Sequence, residues 1–154
     1  MGCEVYASLS KLLKKKFGIA AGNVGDEGGF GAPQLRDELH CLEIIAEALA
    51  DSGHEGNIDI GLDVAASEFW DPVKKTYNFS QKTGKNDRIL SQDETLKLYA
   101  DLVDKYPMVS IEDPFDQDDF ESYIKMTAQL GDKCQIVGDD LLVTNPKRVQ
   151  TGID

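Results

Sequence analysis

The sequence is poor in cysteine and has no long apolar run. Its three cysteines are odd in number and none stands in a C-x-x-C pattern, which argues against a disulfide framework and against a cysteine zinc site. No apolar run reaches the roughly 18 residues that a transmembrane helix requires, and the amino terminus lacks the basic and then apolar order of a signal peptide. We therefore expect a cytoplasmic protein without a membrane partner.

Basic residues are also scarce, since 16 Lys and Arg face 28 Asp and Glu and give a net charge of −12. This acidic balance repels a phosphate backbone, so nucleic acid is not an expected partner. The acids stand in pairs such as Asp118-Asp119 and Asp139-Asp140 among apolar residues, and not in an acidic tail. The 154 residues, 41% of them hydrophobic, have the composition of a globular domain. A folded surface together with a cation site would explain the charge.

Apolar spacing predicts helices that alternate with short strands. A capping box, Ser91 to Glu94, opens one helix, Asp116 is the predicted cap of the next, and Asn145-Pro146 opens the last. The other predicted helices span 4–17 and 35–49, and the predicted strands span 57–63, 108–112 and 134–138. Between Trp70 and Leu90 the chain is polar, which predicts a surface hairpin and loop whose one strand candidate is 76–79.

Alternation of strands and helices predicts a parallel sheet of short, buried strands with right-handed crossovers. A doubly wound sheet and a βα-barrel both fit this order. An eight-fold barrel needs about 250 residues, so a barrel of 154 residues would be incomplete.

An acid closes each of these three predicted strands: Asp63 and Glu112 are the last residues of two, and Asp139 directly follows the third. Residues that close the strands of a βα-barrel converge on one cavity, where three carboxylates repel one another unless one is protonated or a cation binds. Oxygen ligands without His or Cys favour Mg²⁺ before Mn²⁺ or Ca²⁺. Taken one at a time, each acid could instead cap the next helix or be solvated.

A fourth candidate, Glu27, lies in the glycine-rich run from Asn23 to Phe30. Glycines on both sides permit a tight turn and close approach of a ligand, so Glu27 could be a general acid. A surface turn with exposed acids fits the spacing equally well. The run lacks G-x-G-x-x-G and the P-loop lysine, so it is not a nucleotide cradle.

Four strings in order resemble enolase of the eukaryotic type: Asn23–Phe30, Gly61–Phe69, Val109–Phe115, and Val137–Asp140 with Val143–Arg148. The resemblance covers essentially the whole chain. It implies an α/β fold in which residues 1–154 form an incomplete TIM-like (βα) barrel, about the first half of the enolase C-terminal domain. It identifies Asp63, Glu112 and Asp139 as magnesium ligands, with Glu112 and Asp139 also binding substrate, and Glu27 as the catalytic acid.

The activity implied by this resemblance is the reversible, magnesium-dependent dehydration of 2-phosphoglycerate to phosphoenolpyruvate in glycolysis. A lysine of the family removes the proton beside the carboxylate, and metal ions stabilise the enediolate. The full-length parent is expected to be a homodimer.

The chain departs from the family pattern in several places. Gly31 is an extra glycine after Phe30, and Leu142 replaces a usual threonine. The family's base lysine, its substrate-binding His, Arg and second Lys, and its small amino-terminal domain have no counterpart in these residues. We therefore expect no turnover and only weak metal binding from these 154 residues alone. Two alternatives stay open: another enzyme of the wider enolase superfamily, and a non-catalytic acidic binding module.

Overall fold

A computed structural model describes residues 1–80 and 88–154 of the chain. The chain divides into two compact units, residues 1–58 and residues 59–154. Residues 81–87, which fall within the predicted polar hairpin, lie outside the described residues. In the part of the chain that is described, no helix is long and apolar enough to cross a membrane.

The first unit is built from two helices, α1 (Gly2–Phe17) and α2 (Glu38–Asp51), with a 3₁₀ turn at Ile19–Gly22. Helix α1 ends where predicted because Gly18 adopts a φ of 91°, a conformation open to glycine. Helix α2 starts later than its predicted start at Leu35, since the Asp37 carboxylate accepts the His40 N–H at 2.8 Å and caps the helix there. Leu13, Ala21 and Ile44 form a buried cluster in this unit.

The described residues of the second unit, 59–80 and 88–154, form two small sheets and four helices. Its elements in chain order are β1 (Ile60–Asp63), β2 (Trp70–Asp71), β3 (Thr76–Asn78), β4 (Ile89–Ser91), α3 (Gln92–Lys105), β5 (Met108–Glu112), α4 (Phe120–Leu130), β6 (Gln135–Val137), α5 (Asp139–Leu142) and α6 (Pro146–Ile153). A further 3₁₀ turn spans Ala66–Phe69. The predicted alternation of strands and helices is confirmed from α3 to α6, whereas the short strands β2, β3 and β4 stand between β1 and α3.

The parallel sheet has the strand order β1-β5-β6. Within the described residues these three strands do not close into a barrel, which agrees with the predicted incomplete barrel. The expectation that the strands are buried was wrong in part. In β5, Met108 and Ile111 are buried, whereas Val109 is 48% exposed.

The pairing of β1 with β5 contains a shift of one residue. Ile60 lies opposite Met108, but Gly61 lies opposite Ser110, so Val109 is an extra residue on β5. Beyond the shift, Asp63 lies opposite Glu112. Such an insertion is a β-bulge, and it sets which residues meet at the far end of the ladder.

The segment predicted as a surface hairpin is part of an antiparallel sheet with the order β2-β3-β4. Strand β3 confirms the predicted candidate, but its Tyr77 is fully buried, so the segment is not simply a surface feature. The Tyr77 ring lies 6.0 Å from that of Phe115, which also contacts Tyr99 and Tyr123. These four rings form the buried aromatic centre of the unit.

The helix starts follow the predicted capping rules with one exception. Both bonds of the Ser91–Glu94 capping box are present, and the Asn145 side chain accepts the Lys147 N–H at 3.0 Å. The cap of α4 is Asp119, which accepts the Ser122 N–H at 3.2 Å, and not the predicted Asp116. Asp116 lies one turn earlier, where its carbonyl accepts the Asp119 N–H at 2.9 Å.

Candidate metal centre

Asp63 and Glu112 are the last residues of two adjacent parallel strands and lie opposite each other. The Val64 N–H donates to the Glu112 carbonyl at 3.0 Å and holds the two strand ends together. Strand β6 ends earlier than predicted, since its last residue, Val137, pairs with Glu112. Asp139 is therefore the first residue of α5 and not the last of a strand.

Three carboxylates form a close group at this edge. One oxygen each of Asp63, Glu112 and Asp113 lies within 4.8 Å of the others. The structure thus brings together two of the three predicted ligands, while Asp139 lies outside this group and acts on Glu112 through its charge. The third member, Asp113, was not anticipated as a site residue.

The surroundings of the carboxylates at this edge of the sheet disfavour their charged form. Loss of solvation raises the pKa of Glu112, and the charges of Asp63, Asp113, Asp139 and Asp140 raise it further. Burial likewise raises the pKa of Asp113 above its usual range, although the bond from Asp140 opposes this effect. A bound cation would relieve the repulsion among these groups.

The side chains of the three predicted ligands lack compensating partners. Across residues 1–80 and 88–154, no hydrogen bond or ion pair involves the carboxylates of Asp63, Glu112 or Asp139. The Asp113 carboxylate, in contrast, accepts bonds from Tyr123 and Asp140. Free carboxylate oxygens without His or Cys are the donor set of a hard divalent cation, so the residues present fit Mg²⁺.

Glu27 belongs to the first unit, where it is exposed in a hairpin turn between the bridged residues Val24 and Phe30. Gly28 has a φ of 87°, and its carbonyl accepts the Tyr6 hydroxyl at 2.7 Å. The extra Gly31 donates its N–H to the Asn23 carbonyl at 2.9 Å and closes the hairpin. The role of Glu27 as an acid stays a prediction.

Parallel strands with carboxylates at their carboxyl ends define an α/β protein of the kind that places its chemistry at that edge. Comparison with known families is specific: residues 1–154 match the family "Enolase, C-terminal TIM barrel domain". The chain belongs to this family.

Three curated relatives illustrate how similar the chain is to enolases. It is 51% identical to an enolase of Eimeria tenella over 155 residues and 51% identical to an enolase of Solanum lycopersicum over 154 residues. It is 52% identical to enolase 2 of Hevea brasiliensis over 155 residues. Each match covers 99% of this chain but only 34% or 35% of the relative. The chain therefore spans about a third of the length of these relatives.

Sequence reasoning missed Asp113 because the pair Asp113-Pro114 is typical of a turn. The signal that could have found it is its position directly after a strand-ending acid. Asp113 is 4% exposed and has a φ of 43°, a left-handed conformation that Asp tolerates better than most residues. A charged residue buried in that conformation needs a specific set of partners.

Proposed function

We propose that this chain supplies the magnesium centre of a cytoplasmic lyase that dehydrates 2-phosphoglycerate to phosphoenolpyruvate in glycolysis. One observation carries this proposal: the strand-end carboxylates of Asp63 and Glu112 lie close together without hydrogen-bond donors, in a chain that belongs to the enolase family. The identity of about half to relatives named enolase favours this reaction over that of another enzyme of the wider superfamily.

In this proposal Asp63, Glu112 and Asp139 hold the cation, and Glu112 and Asp139 also face the substrate. When bound, Mg²⁺ supplies positive charge beside the substrate carboxylate, where negative charge develops as the adjacent proton leaves. The resemblance implies that Glu27, in the first unit, is the acid that protonates the departing hydroxyl group, which leaves as water.

The proton beside the substrate carboxylate requires a base that these residues do not supply. In the family this base is a lysine, and no lysine of the chain matches it in sequence. We therefore expect the 154-residue chain to bind Mg²⁺ weakly and to show no turnover. The homodimer implied by the resemblance is a further prediction for a full-length parent.

The test is a calorimetric titration of the chain with Mg²⁺, in parallel with Glu112→Gln and with Asp132→Asn as a control. Asp132 is exposed and lies in the turn before β6, so its substitution removes the same charge away from the strand ends. We expect Glu112→Gln to lose Mg²⁺ binding and Asp132→Asn to retain it. Equal binding by all three proteins would reject the metal centre and favour a non-catalytic acidic module.

The turnover prediction has its own measurement. Phosphoenolpyruvate formation from 2-phosphoglycerate is followed by its ultraviolet absorbance, with the Glu112→Gln protein as the background. Formation above that background would show that the chain contains its own base.

A further inference from the structure

The backbone of Asp113 joins the exits of all three parallel strands. Its N–H donates to the Val137 carbonyl of β6 at 2.9 Å, and its carbonyl accepts the Ala66 N–H beyond β1 at 3.0 Å. Asp113 itself follows directly after Glu112, the last residue of β5. One residue therefore lies at the junction of the three segments that carry the predicted ligands.

The Asp113 side chain makes a further connection, to the start of α5. Its carboxylate accepts the Asp140 N–H at 3.1 Å on one oxygen and 3.2 Å on the other. The Tyr123 hydroxyl donates to the same carboxylate at 3.2 Å, and Tyr123 is itself buried. Tyr123 of α4 thus orients the Asp113 carboxylate, which in turn holds the backbone beside Asp139.

From these contacts we infer that Asp113 is a positioning residue of the metal centre, which holds Asp139 in place through the Asp140 N–H. This inference rests on the proposed function, because it presumes that Asp63, Glu112 and Asp139 bind the cation. Strand pairing aligns Asp63 with Glu112. Strand pairing does not position Asp139, which lies beyond the end of β6. The Asp113 carboxylate positions it instead, through the Asp140 N–H.

The bonding of Asp113 argues against a role as a metal ligand, although one of its oxygens lies in the close group. Oδ1 accepts from both Tyr123 and Asp140, and Oδ2 shares the Asp140 N–H. A carboxylate oxygen has about two lone-pair directions, so Oδ1 is filled and Oδ2 keeps one free direction, which makes Asp113 a poorer ligand than the three predicted ones. The predicted ligands have no such donors, which separates the residues that bind from the residue that positions.

Two substitutions at this position separate the two roles. Asp113→Asn keeps an oxygen that accepts both bonds but loses the charge that a ligand needs. Asp113→Gly removes the side chain while tolerating the φ of 43°, so backbone strain does not confuse the result. Tyr123→Phe removes one donor and leaves the carboxylate unchanged.

The readout is Mn²⁺ binding to the 154-residue chain, followed by electron paramagnetic resonance, with Mn²⁺ as a hard-cation probe in place of Mg²⁺. Thermal unfolding in the presence of a chelator checks that each variant is folded. We expect Asp113→Gly to weaken binding by about 10- to 100-fold, the usual cost of losing a residue that orients a ligand. Asp113→Asn should bind clearly more tightly than Asp113→Gly, and Tyr123→Phe should lie between wild type and Asp113→Gly.

Binding by Asp113→Asn as weak as that of Asp113→Gly would overturn the inference, because it would show that the charge of Asp113 binds the ion directly. Wild-type affinity in both Asp113→Gly and Tyr123→Phe would overturn it as well, and Tyr123→Phe alone decides the matter if the glycine variant does not fold. Glu112→Gln is the reference for the metal centre itself. If that variant retains Mn²⁺, the proposed function fails, and the positioning role fails with it.

Discussion

The second unit contains two sets of acids that differ in their partners. Asp113 and Asp119 are 4% and 8% exposed, and each carboxylate accepts hydrogen bonds from a tyrosine hydroxyl and a backbone N–H. Asp63, Glu112 and Asp139 have no such donors within the described residues. A carboxylate that serves the fold is supplied with donors, whereas one that is meant for a cation is left with free oxygens.

The largest expected effect is on the fold, from Asp119→Ala. Asp119 accepts the Tyr77 hydroxyl at 3.0 Å and caps α4. Its removal costs a helix cap, about 1 kcal/mol, and weakens the bonding of a buried hydroxyl, about 1–3 kcal/mol. We expect a loss of about 2–4 kcal/mol in the free energy of unfolding, measured by urea denaturation.

The matched control is Asp118→Ala, since Asp118 is the exposed neighbour that pairs with Arg148 at 2.9 Å. A surface pair of this kind contributes about 0–1 kcal/mol. Similar losses from the two variants would remove the distinction between acids that serve the fold and acids at the surface.

The second prediction concerns Glu112→Gln in the absence of divalent cations. Because burial and neighbouring charges disfavour the Glu112 carboxylate, we expect the neutral variant to have the same or a higher melting temperature than wild type in a chelator. Added Mg²⁺ should raise the melting temperature of wild type only. A lower melting temperature for the variant in chelator would mean that the Glu112 carboxylate has stabilising partners, contrary to its lack of hydrogen-bond donors.

The smallest expected effect is the pH dependence of stabilisation by Mg²⁺. The pKa values of Glu112 and Asp113 are raised in the folded chain, so protonation favours the folded form. This contribution is complete below the ordinary pKa values, about 4.3 for Glu and about 3.9 for Asp, and is lost as the pH rises through the raised values.

A carboxylate must be deprotonated to bind a metal ion, so protons and Mg²⁺ compete for the same carboxylate oxygens. We expect the increase in melting temperature caused by Mg²⁺ to be absent near pH 4 and to grow towards neutral pH. Melting curves with and without Mg²⁺ across this range check the expectation. A constant increment at every pH would place the bound ion away from these carboxylates.

The sequence predicted the elements of this fold better than it predicted the arrangement of the site. Helix starts at Ser91 and Asn145 follow from short-range capping rules, and Asp63 and Glu112 could be paired because parallel strands end at a common edge. The position of Asp139 depends on where β6 stops pairing, which no local pattern fixes. The buried state of Tyr77 was missed for a similar reason, since its aromatic partners lie far away in the chain.

Asp113 could not be predicted as a site residue for a similar reason. Its environment consists of Ala66, Tyr123, Val137 and Asp140, which only the folded chain brings together. In sequence it is an aspartate before a proline, and that pattern indicates nothing more than a turn.

The one-residue shift between β1 and β5 also bears on how this segment can vary. Val109 is half exposed, so its side chain is replaceable. If Val109 paired with Gly61 and there were no bulge, Ile111 would stand where Glu112 now faces Asp63. Substitutions at this position should be tolerated, and deletion of the Val109 codon should remove the bulge while Asp63 stays opposite Glu112. The bulge thus absorbs one residue of length in β5 without changing which acids meet at the strand ends.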